Sequence, residues 1–135
     1  MTEIQSTKDI VTTFIHALND KDWDAIRRLC SAGYIHHAPR VPAADLPAYI
    51  DTAERMFDAF PDLRATVHQL VAEGEYVATR YTARGTHTGD FYGVKPTGRT
   101  VTLPVIAILH ITGDTITEGW FEFDTADIYH QIQNN

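Results

Sequence analysis

Four side chains in this sequence could move a proton or hold a charge against a small molecule: His37, Arg80, His110 and Asp124. A histidine takes up and returns a proton near neutral pH, which enolisation or epoxide opening requires. His37 ends the segment YIHHAP. It reads either as such a base or as a residue that caps a loop or donates to a backbone carbonyl. Its neighbour His36 should point the opposite way in an extended segment, towards the surface or an interface. His110 interrupts the apolar run LPVIAILHIT as its single ionisable group, either as a catalyst or as a satisfied structural histidine. Arg80 would be a costly unpaired cation if it were buried alone. It therefore meets a carboxylate such as Glu118 or Asp124, or stabilises negative charge on a ligand. Asp124 ends the last strand and could act as an acid or cap the turn that follows through Thr125-Ala126-Asp127. His87, within GTHTG, could close over a ligand or stabilise a turn.

Other chemistries find little support. The seven histidines include no His-x-His or His-x-x-x-His spacing, so no metal site is expected. No Gly-x-Gly-x-x-Gly or Walker pattern occurs, and no Ser or Cys triad is suggested, so no cofactor is expected. A net charge of −7 argues against a nucleic-acid partner. No apolar run approaches the roughly 18 residues a membrane span needs. The N-terminal MTEIQSTKD lacks a basic-then-apolar secretion signal. The single cysteine, Cys30, fits a reducing cytoplasm and packs on the apolar side of a helix in this reading. The 135 residues suit one domain, 1–135.

The elements that must position these residues follow from periodicity. Residues 6–19 place Ile10, Val11, Phe14, Ile15 and Leu18 at helical spacing behind Ser6 as N-cap. A short second helix, DWDAIRRLCS, turns Trp23, Ile26, Leu29 and Cys30 inward with Asp22 as its cap. Residues 34–39 read as extended, and a third helix from near Asp45 buries Tyr49, Ile50, Ala53, Met56, Phe57 and Phe60. Beyond Pro61 the period becomes two. Residues 64–73 and 75–84 form an antiparallel pair about Gly74, and a Gly-rich lip covers 85–99. Residues 100–124 then fold as a hairpin about Gly113-Asp114. A short helical turn ends the chain.

If that hairpin pairs without interruption, Pro104, Ile106, Ile108 and His110 share a face with Thr117, Gly119, Phe121 and Phe123. This face reads as a pocket floor. The other face carries Val105, Ala107, Leu109, Ile111, Ile116, Glu118, Trp120 and Glu122. It is too apolar for solvent, and a homodimer is expected to pair through it.

The order of three helices and an antiparallel meander, an α+β arrangement, resembles the nuclear transport factor 2-like (NTF2-like) superfamily. The stretches ALNDKDWDAIRRL, YIHHAP, FPDLRATVHQLVAEGEYVATRYTARGTHTGDFYGVKPTGRTV and ITEGWFEFD resemble the SnoaL-like polyketide cyclases, also called ester cyclases. The resemblance implies a cone of three N-terminal helices packed on a curved antiparallel sheet. A pocket would take a hydrophobic, oxygenated small molecule without a cofactor. It also implies cyclisation or isomerisation by acid/base catalysis, with epoxide hydrolysis or mere ligand binding as alternatives. Such cyclases place an acid directly after the last-strand tryptophan, where this chain has Phe121. The related epoxide hydrolases use Arg-x-Asp, where this chain has Arg80-Tyr81-Thr82. Proton transfer therefore falls to His37 or His110, assisted by Arg80 and Asp124. Tyr34, Met56, Phe57, Phe60, Thr82, His87, Phe121 and Phe123 are the expected substrate contacts.

Overall fold

The computed structural model describes residues 6–133. Residues 1–5, which begin the stretch read for a secretion signal, lie outside the described residues, as do 134 and 135. Helix α1 (Thr7–Asn19) starts where the Ser6 side chain accepts the Asp9 N–H at 3.1 Å. Helix α2 (Trp23–Leu29) starts where Asp22 accepts from the Ala25 N–H. Helix α3 (Leu46–Ala59) begins the same way at Asp45 and carries Pro47 in its first turn, where a missing N–H costs nothing. Each cap satisfies a donor that the helix cannot pair internally. Strand β1 (Cys30–His37) leaves α2 without a loop, so Cys30 belongs to a strand and not to the helix expected for it. Strands β2 (Arg64–Glu73), β3 (Tyr76–Thr86), β4 (Thr100–Thr112) and β5 (Thr115–Glu122) follow, and then helix α4 (Thr125–Gln133).

The sheet order is β1-β5-β4-β3-β2. Strands β2 to β5 form the expected meander, but β1 joins the far edge parallel to β5, so the sheet is mixed and not wholly antiparallel. The turn sits where expected, with Gly113 at φ 65° and Thr112 opposite Thr115. Beyond it the register departs from the uninterrupted one. Ile111 pairs with Ile116 but His110 pairs with Glu118, leaving Thr117 as an extra residue. This bulge reverses the parity of everything after it. Ala107 now faces the same way as Phe121, and Ile108 the same way as Trp120.

The helices cover one face only. Ile10, Val11 and Phe14 of α1, Ile50 of α3 and Ile128 and Ile132 of α4 pack there against Val77, Val105, Ala107, Leu109, Ile111 and Phe121. The expectation that Val105, Ala107 and Leu109 would serve a subunit contact is therefore corrected, since all three are buried beneath the helices. The face left open carries Ile106 (57% exposed) and Ile108 (45%). Across it run the rows Val71–Ala78–Ile108–Trp120–His37 and Glu73–Tyr76–His110–Glu118–Ile35.

Candidate functional site

Strand alternation on β1 turns Tyr34 and His36 to the helix side and Ile35 and His37 to the open side. The parallel register fixes this, because His36 lies level with Gly119 and His37 with Trp120. Gly119 is required where it stands: a Cβ there would come within 2.8 Å of both the Tyr34 hydroxyl and the Phe121 ring. Into that gap reaches the Tyr34 hydroxyl, 2.9 Å from His36 Nδ1. Tyr49 of α3 stacks on the imidazole at 4.0 Å between ring centroids, and Phe121 lies at 4.6 Å on another side. Phe14 of α1 stacks behind Tyr49 at 6.5 Å. The His36 backbone is pinned as well, its N–H and C=O both bonded to Ala44 at 2.8 and 2.9 Å.

The electrostatics of this cluster follow from burial. Desolvation, with His37 as a smaller second cause, pushes the His36 imidazole down to about 4. Burial raises the Tyr34, Tyr49 and Tyr81 phenols and pushes the Cys30 thiol up to about 12. At neutral pH the cluster is therefore uncharged throughout. It offers phenol hydroxyls and one neutral imidazole to a ligand, and no carboxylate among the described residues is buried. No group of three or more His, Cys, Asp or Glu among the described residues could hold a metal ion.

The expected site residues divide between the two faces. Tyr34 and Phe121 belong to the helix-side cluster, with Met56 and Phe123 half-buried against the same core. The placement of the two adjacent histidines is the reverse of the expected one. His37 stands on the open face, its Nε2 2.6 Å from Glu118 Oε2 and its ring flat against Trp120 (5.4 Å, 7°). His110 is on that face too, not on a pocket floor, with Nδ1 at 2.7 Å from Thr117 Oγ1 and Nε2 at 3.0 Å from Glu75. Arg80 is exposed there and needs no buried partner, and Thr82 bonds His68 Nε2 at 2.7 Å. All four were named as site residues; the β4–β5 bulge and the β3 register put His110, Arg80 and Thr82 on the open face, and the parallel β1–β5 register puts His37 there.

Asp124 is exposed and accepts the Asp127 N–H at 3.0 Å, a helix cap. Phe57 turns to Trp23 (5.9 Å) and the Lys21 ammonium (4.9 Å). Phe60 packs on His87 and Phe91. His87 is fully buried; its Nδ1 accepts the Thr97 N–H at 3.2 Å and ties down the 88–99 segment. Two surface hollows, about 150 Å³ beside Asp90 and Phe91 and about 270 Å³ beside Arg28 and Asp114, touch none of the cluster. Both are open to solvent, and the uncharged phenol and imidazole groups gather at His36 instead. Sequence reasoning missed His36 as a helix-side residue and Tyr49 as its stacking partner. Arg80 and Arg84 share one parity on β3, and that parity marks the solvent side.

Comparison with known proteins supports this architecture. The family model of the SnoaL-like polyketide cyclases matches residues 8–132. No curated protein matches the chain. Among solved structures, IdmH of Streptomyces antibioticus, a proposed polyketide cyclase, is 28% identical, with a TM-score of 0.87 over 96% of this chain and 100% of its own. AclR of Streptomyces galilaeus, a proposed hydroxylase, is 25% identical with a TM-score of 0.86, over 96% of this chain and 82% of its own. A SnoaL-like protein of a Jannaschia species, at 20% identity, shares the fold with a TM-score of 0.89 over 100% of this chain and 97% of its own. The activities proposed for IdmH and AclR differ, so likeness of architecture does not by itself name a reaction. With the helices over one face of a mixed sheet, and the family match spanning nearly its whole length, the chain belongs to the SnoaL-like polyketide cyclase family and has its NTF2-like α+β fold.

Proposed function

We propose that residues 1–135 act as one domain that cyclises or isomerises a hydrophobic, oxygenated, polyketide-like small molecule on the helix side, without a cofactor. The observation that carries this reading is the Tyr34 hydroxyl 2.9 Å from His36 Nδ1, enclosed by Tyr49 and Phe121. In the tautomer in which Nδ1–H donates to Tyr34 Oη, His36 Nε2 keeps its lone pair. The Tyr34 O–H is then free to donate to a substrate carbonyl. Nε2 takes a proton from the carbon beside that carbonyl, and the enolate oxygen is held by the phenol. The enolate either attacks a second carbonyl of the same molecule, closing a ring, or is reprotonated at another carbon. His36 Nε2–H returns the proton in both cases.

Enolisation can be read without the natural substrate, as solvent deuterium entering C1 of 2-tetralone by NMR. The protein should accelerate this exchange. His36→Ala should reduce the acceleration at least about a hundredfold, the usual worth of a general base, while His37→Ala changes it less than about threefold. The opposite ranking would overturn the assignment.

One observation favours a second reading, a ligand-binding protein without catalysis. By the resemblance Phe121 stands at the position of the family's acid, and no carboxylate among the described residues is buried. Under either reading the uncovered row of Ile106, Ile108 and Trp120 suits pairing of two copies face to face. A net charge of −7 gives nucleic acid no attraction, and no helix among the described residues is long and apolar enough to cross a membrane.

A further inference from the structure

We propose that the Thr79 hydroxyl anchors an oxygen of the bound molecule, at a point across the sheet from the Tyr34–His36 pair. The proposal rests on the reading of the helix side as a small-molecule site. Thr79 is 3% exposed, and its Oγ1 has no hydrogen-bond partner among the described residues. It lies on the helix side of β3 between Val77 and Tyr81, in the cross-strand row Leu70–Thr79–Ala107–Phe121.

Three features make this hydroxyl a site and not an accident of packing. A buried hydroxyl without a partner costs stability, since it leaves water and gains nothing. Valine has the same branched shape and would fill this strand position equally well without that cost. A strand also offers the threonine no carbonyl one turn back, the bond that Thr12 and Thr13 make within α1. The hydroxyl is therefore available to a group that arrives.

The row shows where that group would lie. Ala107 stands between Thr79 and Phe121, two strands apart and so roughly 10 Å between backbones. It carries only a methyl, the smallest side chain of the row. His36 lies one strand beyond Phe121, level with Gly119. A molecule lying over Ala107 would meet Thr79 at one end and the Tyr34–His36 pair at the other, with Tyr81 and Phe121 along its length.

The chemical class follows from charge. The helix side holds neutral phenols, a neutral imidazole and no buried carboxylate, lysine or arginine among the described residues. An ionic ligand would lose its hydration there without finding a counter-charge. The fitting ligand is neutral, flat and mainly apolar, with a hydroxyl or carbonyl oxygen at each end.

The test uses the full chain and two probes that differ by one hydroxyl, 2-naphthol and naphthalene, with affinities by calorimetry. Wild type should bind 2-naphthol about tenfold more tightly, the usual effect of one satisfied hydrogen bond. Thr79→Ser should keep that preference. Thr79→Val should reduce it to within about twofold while leaving Tm equal or higher, because an unsatisfied group has been removed. Thr79→Ala gives the same binding comparison should the valine variant fail to fold. A preference retained in the valine or alanine variant overturns the proposal. So does a Thr79→Val Tm several degrees below wild type with the preference intact, since the hydroxyl would then serve an internal partner such as a resident water. Equal binding of both probes by wild type overturns the anchor alone. Binding of neither removes the small-molecule reading and the anchor together.

Discussion

His36 gives the sharpest physical test of the helix-side cluster, because its ionisation is coupled to folding. Burial lowers its folded pKa from 6.5 to about 4. Between these values the unfolded chain binds a proton that the folded chain refuses. The stability this residue contributes is thus complete above pH 6.5 and is lost as pH falls towards 4. The whole window corresponds to about 3 kcal/mol, of which about 2 kcal/mol is gone by pH 5. Solvent reaches part of the half-buried ring, so we expect about 1–1.5 kcal/mol at pH 5 after screening. The assay is urea unfolding of wild type and His36→Gln at pH 7.5 and pH 5. Carboxylates and the other histidines titrate in both proteins and cancel in the difference. Wild type should lose more than the variant by that amount, a midpoint difference of roughly 0.5 M urea for a slope near 2 kcal/mol/M. The ring Cε1–H of His36 should titrate well below pH 6 in NMR. Equal losses in the two proteins, or a titration midpoint near 6.5, would show that the ring is not enclosed by Tyr34, Tyr49 and Phe121.

Two further outcomes test the open face and the missing acid. Ile108→Glu places a charge in the centre of the row Val71–Ala78–Ile108–Trp120, and light scattering at micromolar concentration should show the mass fall from twice 15.2 kDa to 15.2 kDa. A wild type already at the monomer mass refutes the dimer. Phe121→Asp restores a carboxylate beside His36 and should raise deuterium exchange into 2-tetralone above wild type; loss of stability without any gain in exchange would make Phe121 core only.

The helices were legible in the sequence because their signals are local. Ser6 and Asp22 cap where they were expected to, the third helix starts near Asp45 as expected, and the 3.6-residue spacing needs no knowledge of distant strands. The hairpin turn was legible for the same reason, since Gly113 supplies the positive φ. The faces were not. With a period of two, one bulged residue exchanges both sides of a strand, and both parities of β4 are apolar: Val105, Ala107 and Leu109 against Ile106 and Ile108. Only a long-range cue could decide between them. The pairing of Arg80 with Ile106 and of Arg84 with Thr102 marks that parity as the solvent side. The choice between His36 and His37 failed for a related reason. Alternation says that the two point apart, but the parallel contact of β1 with β5, some eighty residues away, says which points inward. The identity of the pair was readable, and its orientation was a tertiary fact.

Phe121 and His36 are best understood as one unit. A carboxylate at position 121 would sit beside the imidazole and favour its charged form, giving a strong orienting pair and a less available lone pair. The phenyl ring does the reverse: packed 4.6 Å from the imidazole, it excludes water and helps hold the ring neutral. A neutral imidazole near a phenol is a weaker base than a histidine–carboxylate pair, but it is unprotonated over the whole neutral range. It also leaves the cluster without net charge, which suits a neutral ligand. Phenylalanine at position 121 is therefore not simply a subtraction from the proposed site. In the proposed reading the phenyl ring gives the site an apolar floor and leaves proton handling to the neighbouring strand, where the Tyr34 hydroxyl lies 2.9 Å from His36 in the space that a Cβ on residue 119 would enter.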